Sequence, residues 1–272
     1  MRLRDGAWLL ALATLLLAGC SRLTFVKPKM GRKDGEQIAQ DYRVSDSPAT
    51  KRRLADQDRI GRATQRVQNG ELDVAEQEIK AILKSSPDSV DANTLMAVVE
   101  DRRGRTEQAG VYYRRAAELA PGNGAVQNNY GTWLCGNGFA AESLLWFDRA
   151  LADPNYATPA SALANAGGCA LRSGQYERAE RDLRRALTLE PGNPFALAAM
   201  AESEFRQQRY FEARAFVERR LAAAPASADV LKLASQIEER LGDRMAASRY
   251  VQRLRAEFPG AVEANLGGKA VP

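Results

Sequence analysis

From Asp56 onward, small, large apolar and turn-forming residues recur with a period of about 34. Gly70, Gly104, Gly138, Gly174, Gln208 and Gly242 stand 34, 34, 36, 34 and 34 residues apart. Five places after each marker lies Ala75, Ala109, Ser143, Ala179, Ala213 or Ala247, and seven places before each lies Ala63, Ala97, Gly131, Gly167, Ala201 or Ser235. Tyr113, Phe147, Leu183 and Val217 recur nine places after a marker, and Pro87, Pro121, Asn155 (with Pro154 before it), Pro191, Pro225 and Pro259 seventeen places after. Small residues let two helices cross closely. A glycine allows the left-handed backbone that ends a helix, and a proline stops the next one. The pattern predicts a helix–turn–helix unit repeated six times, starting near residues 56, 90, 124, 160, 194 and 228, with the large residues between the helices. One unit cannot bury its apolar face alone, so six must stack. Two extra residues enlarge the link at Pro154-Asn155-Tyr156-Ala157-Thr158-Pro159, and Gln208 in place of a turn glycine predicts a different geometry in the fifth unit.

This pattern resembles the tetratricopeptide repeat. The resemblance implies an all-α fold over residues 56–261, a right-handed superhelix of six helix–turn–helix repeats whose first helices line the concave face. Positions 2, 5, 9, 12 and 13 of each unit then face the groove, which selects Asn128, Thr132, Leu171, Arg172, Phe195, Phe205, Arg206, Lys232 and Arg240. Phe195 and Phe205 are either apolar anchors for a partner or simply core. Asn129 and Asn165 share the sixth position of adjacent units. Their amides suit the backbone of an extended peptide, or alternatively satisfy buried backbone groups between helices.

The N-terminus carries a different signal. Arg2 and Arg4 precede an apolar run from Ala7 to Ala18, too short to span a bilayer comfortably, which closes in Leu17-Ala18-Gly19-Cys20. This looks like a lipobox, with residues 1–19 as the signal peptide and Cys20 as the lipidated N-terminus. Several acyl chains at about 0.8 kcal/mol per buried methylene make a lasting anchor. Ser21, not aspartate, follows the cysteine, which implies the outer membrane. Residues 20–55 read as a flexible basic tether, with a weak helix signal over Glu36–Val44, and residues 262–272 as a disordered tail.

Charge and composition narrow the chemistry. The formal net charge is +5, yet the chain from Asp56 to Pro272 holds 28 basic and 29 acidic side chains. The excess sits in the tether, so a nucleic-acid surface on the folded body is excluded; a basic stretch beside an anchor suits anionic head groups, or alternatively is a solvated linker that carries charge. Histidine is absent, which removes imidazole catalysis and His-ligated zinc. The carboxylates are spread as ordinary helix charge, so an enzyme is not expected, nor a metal, a small-molecule substrate or any cofactor beyond the lipid on Cys20. Of three cysteines, Cys135 and Cys169 remain. They fall on the first helices of units three and four, where a disulfide is sterically reasonable in an oxidising periplasm; two buried thiols are the alternative.

The middle of the array carries the most specific signal: Asn128-Asn129-Tyr130-Gly131-Thr132-Trp133-Leu134-Cys135, Asp153-Pro154-Asn155-Tyr156 and Asn165-Ala166-Gly167-Gly168-Cys169. These runs resemble the type IV pilus biogenesis and stability lipoproteins of the PilW/PilF kind. The resemblance implies a lipid-anchored pilotin on the periplasmic side of the outer membrane. Such a protein binds secretin subunits and promotes their localisation and multimerisation. A repeat lipoprotein serving another envelope machine, in β-barrel assembly or in the regulation of peptidoglycan enzymes, is the alternative.

Overall fold

The computed structural model describes residues 47–260. The leader, Cys20, the tether up to residue 46 with its helix signal over Glu36–Val44, and the tail 262–272 lie outside the described residues. Among the described residues there are twelve helices and no strand, in six consecutive hairpins. These are α1 (Pro48–Gln68) with α2 (Leu72–Ser85), α3 (Val90–Arg102) with α4 (Thr106–Leu119), and α5 (Gly124–Gly136) with α6 (Ala140–Ala152). Then follow α7 (Pro159–Arg172) with α8 (Tyr176–Leu189), α9 (Pro194–Arg206) with α10 (Tyr210–Ala223), and α11 (Ala228–Leu241) with α12 (Arg244–Glu257). Each second helix also packs on the first helix of the next unit, and α5, α7, α9 and α11 touch in series, which builds the tetratricopeptide superhelix. One boundary differs from expectation. Helix α1 begins at Pro48 and runs for 21 residues, so 48–55, expected to be tether, are helical.

The links between units follow from local chemistry. At three of the links a proline ends the hairpin and a polar residue two places later caps the next helix. The Ser89 hydroxyl accepts from the Ala92 N–H, the Asn123 side chain from the N–H groups of Ala125 and Val126, and the Asn193 side chain from that of Ala196. Each cap satisfies donors that a helix start leaves without partners. At the enlarged link Asp153, at the end of α6, accepts from the Gly124 N–H that opens α5 of the same unit at 2.8 Å and from the Asn155 N–H within the link at 2.9 Å, while α7 starts without a side-chain cap. These two backbone donors hold its carboxyl below the usual aspartate range.

The crossings within each hairpin are as tight as the small residues demand. A Cβ on Gly167 would lie 2.5 Å from Leu183 Cγ, and one on Gly131 would lie 3.0 Å from the Phe147 ring. Ile79, Phe147, Leu183 and Val217 are buried between their helices, as the nine-place recurrence predicts. Tyr113 is an exception, only half-buried. The Trp133 indole occupies the neighbouring space, pressed on Gly110, where a Cβ would meet it at 2.3 Å. Tyr130, Trp133 and Trp146 form one aromatic cluster: Tyr130 stacks on Trp133 at 6.0 Å and meets Trp146 edge-on at 4.6 Å. Arg114 donates to the Tyr130 hydroxyl at 3.0 Å.

Five turn glycines take φ between 73° and 91°, and Gln208 takes 62°. The fifth unit therefore keeps the common turn geometry, contrary to the sequence expectation. An ion pair spans that turn, from Arg209 to Glu204, whose side chain is 3% exposed. The same two positions hold Glu100 and Arg105 in unit two and, with the charges exchanged, Arg66 and Glu71 in unit one. Units three and four carry Leu134 with Phe139 and Ala170 with Gln175 there, and so have no such clasp. In unit six the equivalent Glu238 is taken by Arg214 of unit five. The left-handed backbone costs a residue with a Cβ about 1–2 kcal/mol, while glycine costs about 0.4–1 kcal/mol through the unfolded chain. Gln208→Gly is therefore expected to stabilise the protein by about 0.5–1 kcal/mol, read as a higher urea midpoint. A lower midpoint would show that the Gln208 side chain contributes more than the strain removes.

Candidate functional site

The first helices of units three to six, with Asp101 and Tyr113 of unit two and Phe147 of α6, line a continuous groove of two joined cavities, of about 640 and 780 Å³. Thr132, Ala164, Asn165 and Phe195 line both. The smaller cavity is walled by Asn128, Asn129, Trp133 and Tyr113, and the larger by Arg172, Phe205, Arg206, Lys232 and Leu233.

Asn165 of α7 reaches across to α5, where its Nδ2 donates to Asn128 Oδ1 at 3.2 Å and to Thr132 Oγ1 at 3.3 Å. Thr132 Oγ1 in turn donates to the Asn128 carbonyl at 2.9 Å. The Asn165 amide therefore keeps only its carbonyl oxygen for a ligand. Asn129 makes no side-chain hydrogen bond to a described residue, and offers both donor and acceptor to the groove. Neither bonds a buried backbone group. That task falls to Asn93, which donates to the carbonyls of Pro87 and Ser89, and to Gln127, which donates to those of Ala117 and Ala120. Asn93 and Gln127 share the fourth position of units two and three. In the sequence the signal is an amide side chain recurring at one repeat position.

Phe195 is 73% exposed and stands where the two cavities join, which no core residue would do. Phe205 is half-buried, with its ring 5.6 Å from that of Tyr210. Leu171 lines the larger cavity as its floor: at 2% exposure it packs with Cys135, Leu144, Phe147 and Cys169. Arg206 pairs with Glu202 on its own helix. Arg240 is not part of the groove wall; it lies over the Tyr210 ring at 6.0 Å and donates to the hydroxyl at 3.5 Å. Arg172 and Lys232 are exposed, line the groove and form no ion pair with a described residue. The Tyr113 hydroxyl is pushed up to about 12, first by burial and then by the Asp101 carboxylate, so it faces the groove fully protonated.

Cys135 and Cys169 are joined in a disulfide beneath the larger cavity, with Cα atoms 5.9 Å apart. It ties α5 to α7 where the asparagine contacts cross between them. Such a surface has the means to hold an extended chain: apolar floor, unspent amide groups and free charge, on helices that do not need to move.

Known proteins place this architecture. Tetratricopeptide-repeat family models match residues 60–124 and 170–237. The type IV pilus assembly protein PilF of Pseudomonas aeruginosa is 25% identical over 197 residues, which span 72% of this chain and 78% of that protein. Its solved structure superposes with a TM-score of 0.69 at 24% identity, over 80% of this chain and 98% of that one. The crystal structure of PilW, a widely conserved type IV pilus biogenesis factor, superposes with a TM-score of 0.70 at 30% identity, over 76% of this chain and 94% of that one. The repeats, their order and these likenesses together establish that the chain belongs to the tetratricopeptide-repeat family of PilW and PilF type IV pilus biogenesis proteins.

Proposed function

We propose that this protein is an outer-membrane pilotin, a lipid-anchored adaptor that captures secretin subunits and promotes their assembly for the type IV pilus. The observation that carries the reading is the continuous groove across units three to six of a PilW-family chain, with exposed Phe195 and unspent Asn129 amide groups. The scaffold works by binding alone: a preformed groove loses little entropy on docking, so its contact energy goes into affinity. Acyl chains on Cys20 hold the adaptor at the inner leaflet of the outer membrane, and the stretch after Cys20 sets how far the repeats stand from the lipid. No cofactor other than that lipid enters this reading.

Deleting the gene is expected to abolish heat-stable secretin multimers on an immunoblot of outer membranes, with recovery on expression of the wild type. A Cys20→Ala chain is expected to fold and accumulate as soluble periplasmic protein. Multimers of normal amount and place in the deletion strain would overturn the secretin role. Normal membrane retention of the Cys20→Ala chain would overturn the anchor.

A further inference from the structure

We infer that the groove selects an extended acidic–apolar segment, one with carboxylates flanking an apolar centre. This rests on the adaptor reading above and names the chemistry of what is captured. The apolar centre follows from α9, which presents Phe195 and Phe205 to the groove beside Ala198 and Ala199. An aromatic side chain left 73% exposed at the junction of two cavities gains most from burial against a partner. The charge follows from the two helices beside it. Arg172 on α7 and Lys232 on α11 stand on opposite sides of α9, both exposed and in no ion pair with a described residue, although Arg172 also donates to Cys169 Sγ at 3.7 Å. Other charges on the wall of that cavity contribute less. Glu202 is held by Arg206, and Asp229 lies three residues before Lys232 on the same helix, leaving a net positive rim.

Spacing converts this into a sequence preference. Packed helices lie about 8–10 Å apart, so Arg172 and Lys232 are separated by roughly 20 Å across α9. An extended chain advances about 3.3 Å per residue, so the two carboxylates fall about six residues apart around the apolar centre. The end of the segment beyond Arg172 runs into the smaller cavity. There Asn129 and the Asn165 carbonyl meet peptide groups and tolerate any side chain.

The test uses the purified full-length chain and fluorescein-labelled peptides of roughly nine residues, with aspartates about six places apart around a Leu-Phe centre. A matched peptide carries lysines in place of the aspartates. In low-salt anisotropy titrations the acidic peptide is expected to bind at least tenfold tighter than the basic one, with the preference shrinking as salt screens the charges. The doubly reversed Arg172→Glu/Lys232→Glu chain is expected to invert the preference. The Arg172→Gln/Lys232→Gln chain is expected to lose it without inversion, and unchanged melting of both variants shows intact folding. Equal binding of both peptides, binding of neither, or an acidic preference that survives reversal would overturn the inference. The secretin blot separates the two readings. Multimers lost on gene deletion with no peptide preference sinks only the groove chemistry, whereas a clear preference with normal multimers sinks only the pilotin role.

Discussion

Replacing Cys135 and Cys169 together by alanine is expected to lower stability by about 3–4 kcal/mol. The bond closes a loop across a sequence separation of 34, and its loss returns that loop's closure entropy to the unfolded chain. The Asn165 contacts to Asn128 and Thr132 and the Arg178–Asp148 ion pair also join units three and four, but none of them is covalent. Units one, two and five have an ion pair across the turn, while units three and four have only the Leu134/Phe139 and Ala170/Gln175 positions there. Urea unfolding of the variant beside wild type, with and without reductant, measures the effect. Hydrogen exchange should place the loss in α5 to α8. Wild type that unfolds at the same urea concentration with and without reductant would show that packing around Phe147 suffices.

The second large effect concerns Glu238, 3% exposed, held by Arg214 through the Nε and Nη2 donors along one guanidinium edge, with Nε at 2.9 Å from Oε1. Arg214→Ala leaves this carboxylate buried in the last hairpin without its cation. Removing one partner of a buried pair costs about 3–5 kcal/mol; because the Arg214 side chain is 30% exposed, water offsets part of that, and about 2–3 kcal/mol is expected. The double replacement Arg214→Leu/Glu238→Leu is expected to restore most of it, since an apolar pair of similar volume carries no desolvation penalty. Both are read from urea midpoints, and exchange rates of α11 and α12 locate the change. A double variant no better than Arg214→Ala would mean that the loss lies in packing of the long Arg214 stem, not in stranded charge.

The groove itself was only partly legible. Asn128, Thr132, Phe195, Arg172 and Arg206 reach it because position within a repeat decides which way a first-helix residue faces. Leu171 shares such a position and reaches the larger cavity only as its buried floor, since it packs into the core that surrounds the disulfide. Asn129 and Asn165 have the same address in adjacent units, yet the cross-helix contact to Asn128 and Thr132 spends the donors of one and leaves the other free.

What the chain alone determined is everything that depends on neighbours within one repeat. The six hairpins, the five turns at a left-handed glycine, the small crossings at Gly131 and Gly167, and the proline stops follow from backbone sterics over a few residues. Only the tertiary structure decided which long side chains meet across units. It pairs Glu238 with Arg214 although Glu204 pairs with Arg209, seats Trp133 on Gly110 at the expense of Tyr113, and carries α1 back to Pro48. These depend on the twist between successive hairpins, a sum of many small packing terms that no single repeat encodes, and long arginine and tryptophan side chains reach whichever partner that twist brings close.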